Sequence, residues 1–101
     1  MRYRKKPIEI EAFQMTEERM ESREDWPNWL ILAWEKKELQ CIGSGALHIE
    51  WRVRTLEGSL HISANDWIIR GVKGELYPCK PDIFEATYVA VNELDYPEGV
   101  S

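Results

Sequence analysis

From Ala46 to Arg54 the chain alternates without a break: Leu47, Ile49, Trp51 and Val53 point one way, His48, Glu50, Arg52 and Arg54 the other. A period of two is what a strand with one dry and one wet face requires. Glu57-Gly58 then reads as a two-residue hairpin loop. The returning strand pairs Val53 with Ile62, Thr55 with Leu60 and Arg54 with His61, so apolar meets apolar on one face and polar meets polar on the other. A second hairpin follows. Ala64-Asn65-Asp66 is a turn, Trp67 to Val72 a strand, Lys73-Gly74 its loop and Glu75 to Cys79 the return. That register sets Ile68 against Cys79, Ile69 against Pro78 and Arg70 against Tyr77. A proline there belongs on an edge strand or at a strand's end.

The other half of the chain supplies a strand and a helix. Ile8-Glu9-Ile10-Glu11-Ala12 alternates after Pro7, but Phe13 and Met15 fall out of phase, which calls for a bulge or burial on both faces. Thr16 to Glu24 is polar and acidic, a loop with room for one helical turn started by Thr16. The main helix starts behind a cap at Asp25 or Trp26, with Pro27 in its first turn. Trp26, Trp29, Leu30, Ala33, Trp34 and Lys37 make one stripe at helical spacing, and Lys36 and Lys37 suit its C-terminal end. Gly43-Ser44-Gly45 breaks the chain before the long alternation. Pro81 opens a short turn or helix over Asp82 to Glu85, and Tyr88 to Val91 has the character of a last strand. The expected class is therefore α+β: a small antiparallel sheet or partial barrel with one Trp-rich amphipathic helix packed on it. Residues 1–91 make one domain, and residues 92–101 a flexible acidic tail.

Composition limits what such a domain does. Five Trp among 101 residues can bury on the order of 150–250 Å² each, enough to supply much of a core. With 13 basic against 18 acidic residues and a net charge of −5, the chain lacks the basic stripe that displaces counterions, so nonspecific nucleic-acid binding is not expected. The bases cluster at Arg2, Arg4, Lys5 and Lys6, and acids at Glu17, Glu18, Glu21, Glu24 and Asp25. Neither an apolar signal region nor an 18-residue apolar run is present, so the reading is cytoplasmic, with no membrane contact. Cys41 and Cys79 have no CxxC or histidine spacing for zinc, so no metal and no cofactor are expected.

Two segments carry a resemblance. Arg2 to Gln14 (RYRKKPIEIEAFQ) resembles the opening of many small phage proteins, and Gly71 to Phe84 (GVKGELYPCKPDIF) with Thr87-Tyr88 resembles their closing block. Those proteins are similar to the group named for a Pro-Gly-Asp-Tyr-Gly motif. Here Ala64-Asn65-Asp66-Trp67-Ile68 stands in that place, without the Pro and Gly and with Trp for Tyr. The resemblance covers both ends and about half of the chain, and does not reach the Trp-rich helix. It implies a phage or prophage origin and a host-cell cytoplasmic setting. It implies no reaction.

No catalytic constellation is legible. Cys79 precedes a helix start and adjoins Lys80, a setting that lowers a thiol's pKa, but neither His48 nor His61 stands beside it as a base; the plain account is a small hydrophobe paired with Ile68. His61, Arg54, Arg52 and Ser59 share a polar sheet face where an anion fits, as does solvent. Glu9 and Glu11 share a strand face with nothing that marks them as acid and base. The candidate binding residues are Trp67, Arg70, Lys73, Tyr77, Lys80 and Asp82, aromatic and charged groups around a tight hairpin loop. The alternative is that Gly71, Gly74, Pro78 and Pro81 only shape turns while Tyr77 and Phe84 fill the core. The functional expectation is a non-enzymatic phage accessory protein that binds a host or phage macromolecule, most naturally a protein partner. Two others stand beside it: a small-anion binder that sequesters a nucleotide through the second hairpin, and an acidic inhibitor of a host nucleic-acid-binding defence enzyme acting through Glu17 to Asp25. Oligomeric state is open, with a homodimer compatible with the unpaired edges.

Overall fold

Periodicity in this sequence resolves into two sheets rather than one in the computed structural model, which describes residues 1–3, 8–43 and 50–91. The chain runs through β1 (Glu11–Gln14), α1 (Glu17–Glu21), α2 (Asn28–Glu35), β2 (Leu39–Ile42), β3 (Glu50–Thr55), β4 (Gly58–Ile62), β5 (Trp67–Arg70), β6 (Leu76–Cys79) and α3 (Pro81–Thr87). The described strands form two three-stranded antiparallel sheets, ordered β1-β5-β6 and β2-β3-β4, and no closed barrel. The class is α+β. The first part of the alternation, Ala46 to Ile49 with His48, lies outside the described residues, as do Arg4 to Pro7, Ser44-Gly45 and the acidic tail from residue 92.

The core sits where the Trp-bearing helix meets the β2-β3-β4 sheet. Leu30 and Ala33 of α2 are buried with Met15, Trp26, Leu39, Trp51, Val53, Ile62, Ile68 and Leu76. Trp51 from β3 meets Trp26 and Trp34 with centroids 5.8 and 5.5 Å away, and Trp26 meets Trp34 edge-on at 5.8 Å. Edge-to-face contact of this kind adds about 0.5–1.5 kcal/mol per pair beyond the area buried. Trp26 donates its indole N–H to the Arg19 carbonyl at 2.8 Å, tying α1 to this cluster. Thr16 caps α1 as expected, accepting from the Arg19 N–H at 3.2 Å.

Helix α2 departs from the expected boundaries at both ends. Its N-cap is Pro27 itself, whose carbonyl accepts from Leu30 and Ile31, rather than Asp25 or Trp26. Its end is a Schellman motif: Glu38 N–H donates to the Ala33 carbonyl and Lys37 N–H to that of Trp34. Lys37 takes the left-handed position, φ 64°, that glycine normally fills. Without a glycine as signal, the strand behind it, β2, has no mark in the sequence. β2 pairs Leu39 with Val53 and Cys41 with Trp51.

Both hairpins form, and both registers differ from those expected. In the first, Val53 faces Leu60 and Trp51 faces Ile62, two residues away from the expected pairing, with Arg52 rather than Arg54 opposite His61. The loop is Leu56-Glu57, and Gly58 (φ 114°) leaves it instead of occupying it. Thr55 fixes this choice, its hydroxyl accepting from the Glu57 N–H at 3.0 Å and donating to the Gly58 carbonyl at 2.7 Å. A shift of two preserves each residue's face, so apolar alternation cannot tell the registers apart.

In the second hairpin the shift is one residue: Trp67 faces Cys79, Ile68 faces Pro78, Ile69 faces Tyr77 and Arg70 faces Leu76. Gly71 N–H donates to the Glu75 carbonyl at 2.8 Å, so the loop has three residues, Val72-Lys73-Gly74, with Gly74 at φ 83°. Gly74 N–H also returns to the Gly71 carbonyl at 3.0 Å, so a β-turn is followed by a left-handed glycine, a common three-residue hairpin connection. A Cβ on Gly74 would meet nothing closer than Arg70 Nη2 at 3.9 Å. Gly74→Ala is therefore expected to lower stability by about 1 kcal/mol through backbone strain alone, read as a fall in the urea midpoint with an unchanged slope.

Two further expectations are corrected. The first strand is β1, Glu11–Gln14, not Ile8 to Ala12: Ile8 is 54% exposed, whereas Met15 is fully buried and Phe13 packs on the core. The phase that mattered was that of Phe13 and Met15. Tyr88 to Val91 form no strand, and Val89 and Val91 are exposed. Pro78 lies on an edge strand, as its missing N–H requires.

Candidate functional site

The β1-β5-β6 sheet is covered on both faces, and its second face gathers most of the aromatic side chains outside the core. Ile68 and Leu76 look into the core cluster together with Phe13. Trp67, Ile69, Tyr77 and Cys79, being the alternate residues, share the opposite face. Helix α3 lies there. It starts at Pro81, where proline needs no donor, with Lys80 as N-cap and Asp82 in the first turn. Phe84 stacks on Trp67 with centroids 3.9 Å apart and planes 7° from parallel, and Tyr88 stacks on Phe84 at 5.0 Å.

Trp67, Phe84, Tyr88 and Tyr77 are all half-buried, so this layer is open along its rim. Burial first, then a hydrogen bond with Tyr88 and the nearby negative groups, push the Tyr77 phenol up to about 12, and it stays protonated near neutral pH. The Trp67 indole N–H is shielded from solvent and has no acceptor among the described residues. Such a group costs on the order of 1–3 kcal/mol.

Asp66 anchors the layer. It is 2% exposed, the one buried acid among the described residues. Its carboxylate accepts from the Ser63 N–H at 2.8 Å and from Lys80 Nζ at 3.0 Å, so a single side chain joins the β4–β5 turn to the start of α3. The turn is the expected one: Asp66 N–H returns to the Ser63 carbonyl at 3.0 Å, and Asn65 is left-handed at φ 74°. Met15 holds it from both sides, donating to the Asp66 carbonyl and accepting from the Asn65 N–H.

The six residues singled out from the sequence fall in three places. Trp67 and Tyr77 lie in the aromatic layer. Lys80 and Asp82 stand at the start of α3, Lys80 paired with Asp66 and Asp82 exposed. Arg70 and Lys73 are at the other end of the hairpin, Arg70 on the opposite face and bonded to Glu11 at 3.3 Å, Lys73 exposed in the loop. Trp67 and Arg70 are three residues apart, about 10 Å along the strand, so one small ligand does not span both groups. Phe84, Tyr88 and Asp66 complete the arrangement and carry no sequence signal of their own: Phe84 and Tyr88 read as core filling or strand, Asp66 as an ordinary turn residue.

Cys79 does not have the electrostatics of a nucleophile. Burial raises its thiol pKa, and the carboxylates of Asp66 and Asp82 raise it further, the reverse of what the adjacent Lys80 suggests in sequence. In a Cys41→Ser background, Cys79 is expected to react with iodoacetamide near neutral pH more slowly than free cysteine; a faster reaction would show an activated thiolate. Among the described residues no three His, Cys, Asp or Glu side chains are grouped to hold a metal ion. No helix among them is long and apolar enough to cross a membrane.

On the second sheet, His61 Nδ1 and Arg52 Nε both approach Glu50 Oε1, at 3.4 and 2.8 Å, which engages two of the three bases on that face among the described residues and leaves Arg54 exposed. A shallow concavity is lined by Thr16, Glu17, Glu18 and Asn65. Neither the models of known protein families, nor the curated proteins, nor the solved structures contain a match to this chain.

Proposed function

We propose that this protein is a non-enzymatic accessory module, of the phage or prophage kind that its two end segments resemble, and that it binds a host or phage protein through the α3 face of the β1-β5-β6 sheet. The observation that carries the reading is the half-buried aromatic layer Trp67–Phe84–Tyr88 with Tyr77 beside it, flanked by Lys80 and Asp82. Rigid aromatic side chains with one face packed and one rim free give large contact area at little conformational cost, and such residues dominate binding energy at protein interfaces. The test is affinity capture from host lysate, followed by titration of the captured protein. Tyr88→Ala is expected to weaken that binding at least tenfold, an anchor-sized loss of about 1.4 kcal/mol or more. Lys73→Ala, at the far end of the hairpin, is expected to leave it unchanged. Equal capture by the Tyr88 variant would place the interface elsewhere.

One observation favours the acidic-inhibitor reading as a second choice. The two bases in the acidic stretch lie over aromatic rings: Arg19, half-buried, is 4.3 Å over the Phe13 ring and donates to the Gln14 carbonyl at 2.8 Å, and Arg23, itself exposed, is 5.2 Å over Trp34. Glu17, Glu18, Glu21, Glu24 and Asp25 are left exposed. If that face replaces nucleic-acid phosphates, converting Glu17, Glu18, Glu21 and Glu24 to Gln abolishes partner binding, and unchanged affinity rules it out.

A further inference from the structure

The edge strand β4 has no described neighbour on its outer side, and Gly58, Ser59, Leu60 and His61 are all exposed. We propose that two copies of this chain pair through β4, antiparallel about a two-fold axis at Leu60, so that the two β2-β3-β4 sheets become one.

The hydrogen-bond alternation shows which groups are free. Arg54 N–H donates to the Glu38 carbonyl at 2.7 Å, so the even-numbered residues of β3 turn their backbone groups to β2 and the odd-numbered ones to β4. The partners of those odd residues, Gly58, Leu60 and Ile62, therefore spend their groups on β3. Ser59 and His61 direct theirs outward. The Ser59 carbonyl has a long contact from Arg52 Nη1 at 3.4 Å, and no described residue donates to or accepts from the others.

This edge also lacks the usual guards. Between Gly58 and Ile62 there is no proline, lysine, arginine or acid. β6, by contrast, carries Pro78, and β1 carries Glu11. Leu60, 40% exposed, stands on the core-facing side next to buried Ile62 and opposite buried Val53.

The strand is complementary to itself in one register above others. With Leu60 opposite its own copy, Ser59 and His61 of one chain exchange N–H···O=C bonds with His61 and Ser59 of the other, and the whole strand overlaps. The two Leu60 side chains then form a close non-hydrogen-bonded pair, with Cα atoms about 4.5 Å apart, which extends the core across the axis. A slip of one residue would set the outer face of one strand against the inner face of its copy. A slip of two toward His61 would put two histidines directly opposite, and a slip of two toward Gly58 would lose overlap. A foreign strand would find no charge on β4 to select it, whereas a second copy supplies the leucine that covers Leu60. An edge this short buries little against the roughly 1,600 Å² of a standard interface, so the dimer is a weak one.

Sedimentation from micromolar to millimolar protein, with amide exchange read in parallel, tests the proposal. The expected result is a concentration-dependent dimer in which exchange at Ser59 and His61 slows as it forms. Ser59→Pro removes an outward N–H that the monomer does not use, and Leu60→Lys sets like charges against each other on the axis. Each is expected to raise the dissociation constant at least tenfold with an unchanged circular dichroism spectrum, and either variant that folds decides the matter. A wild-type chain that stays monomeric throughout overturns the proposal and leaves the edge to a foreign strand. So does a dimer that persists in a folded variant, or one that leaves exchange at Ser59 and His61 unchanged.

Discussion

Trp51→Ala is expected to cost about 3–5 kcal/mol of unfolding free energy. Trp51 is 6% exposed and stands where three indoles converge, edge-on to Trp26 and tilted against Trp34. Alanine there removes the apolar area of an indole and leaves a cavity in a core whose fully buried large side chains, among the described residues, are one methionine, three isoleucines, two leucines and a valine. The cavity lies between α2 and β3, so neither element can close it without giving up the Leu30 or Val53 contacts. Natural domains have about 5–15 kcal/mol in total, so this one change uses most of the lower end of that range. Equilibrium urea unfolding followed by fluorescence measures it, with Trp34→Ala as the comparison. Trp34 is only half-buried, and its replacement is expected to cost less. A Trp51 variant within 1 kcal/mol of the wild type, below the roughly 3–5 kcal/mol of a buried aromatic, would show that the indole cluster is not the centre of the core.

The cluster also shows what in this chain was legible before its structure. The Trp26–Trp29–Leu30–Ala33–Trp34 stripe has helical period, and the helix that forms buries Leu30 and Ala33 and packs Trp29 and Trp34 half-buried on the core, with Trp26 just before its N-cap. Alternation in β3 was equally plain, because one face of the strand is dry. Register was not. In the first hairpin the deciding contact is the Thr55 hydroxyl at the loop, which no hydrophobic pattern encodes. In the second, both faces of β5 are covered, so Trp67, Ile68 and Ile69 are all apolar and alternation says nothing about phase. That single-residue ambiguity is what separated Arg70 from Tyr77. Elements that depend on backbone geometry alone, such as the left-handed Lys37 before β2, had no residue type to announce them. The aromatic layer was half visible: Trp67 and Tyr77 stand out as residue types, whereas the pairing with Phe84 and Tyr88 depends on where α3 lies down.

Asp66→Ala is expected to be the second most damaging single change, about 2–4 kcal/mol. The Asp66 carboxylate is buried and has two donors, the Ser63 N–H and Lys80 Nζ. Alanine leaves the first donor without its acceptor and the second without its counter-charge. Lys80→Ala is expected to cost less, about 1 kcal/mol, because the ammonium is largely exposed and water screens it. Asp66→Asn separates the two contributions: its amide oxygen still accepts from Ser63, so it is expected to fall between Lys80→Ala and Asp66→Ala. The same substitutions act on the proposed interface. No residue of α3 is buried, so the helix is held by its aromatic stack and by the Lys80–Asp66 link. Asp66→Ala should therefore speed amide exchange from Phe84 to Tyr88 more than it speeds exchange in β3, and it should weaken partner binding through Tyr88 without touching the partner. If exchange rises equally throughout, Asp66 supports the whole fold rather than the seat of α3, and the aromatic layer does not depend on it.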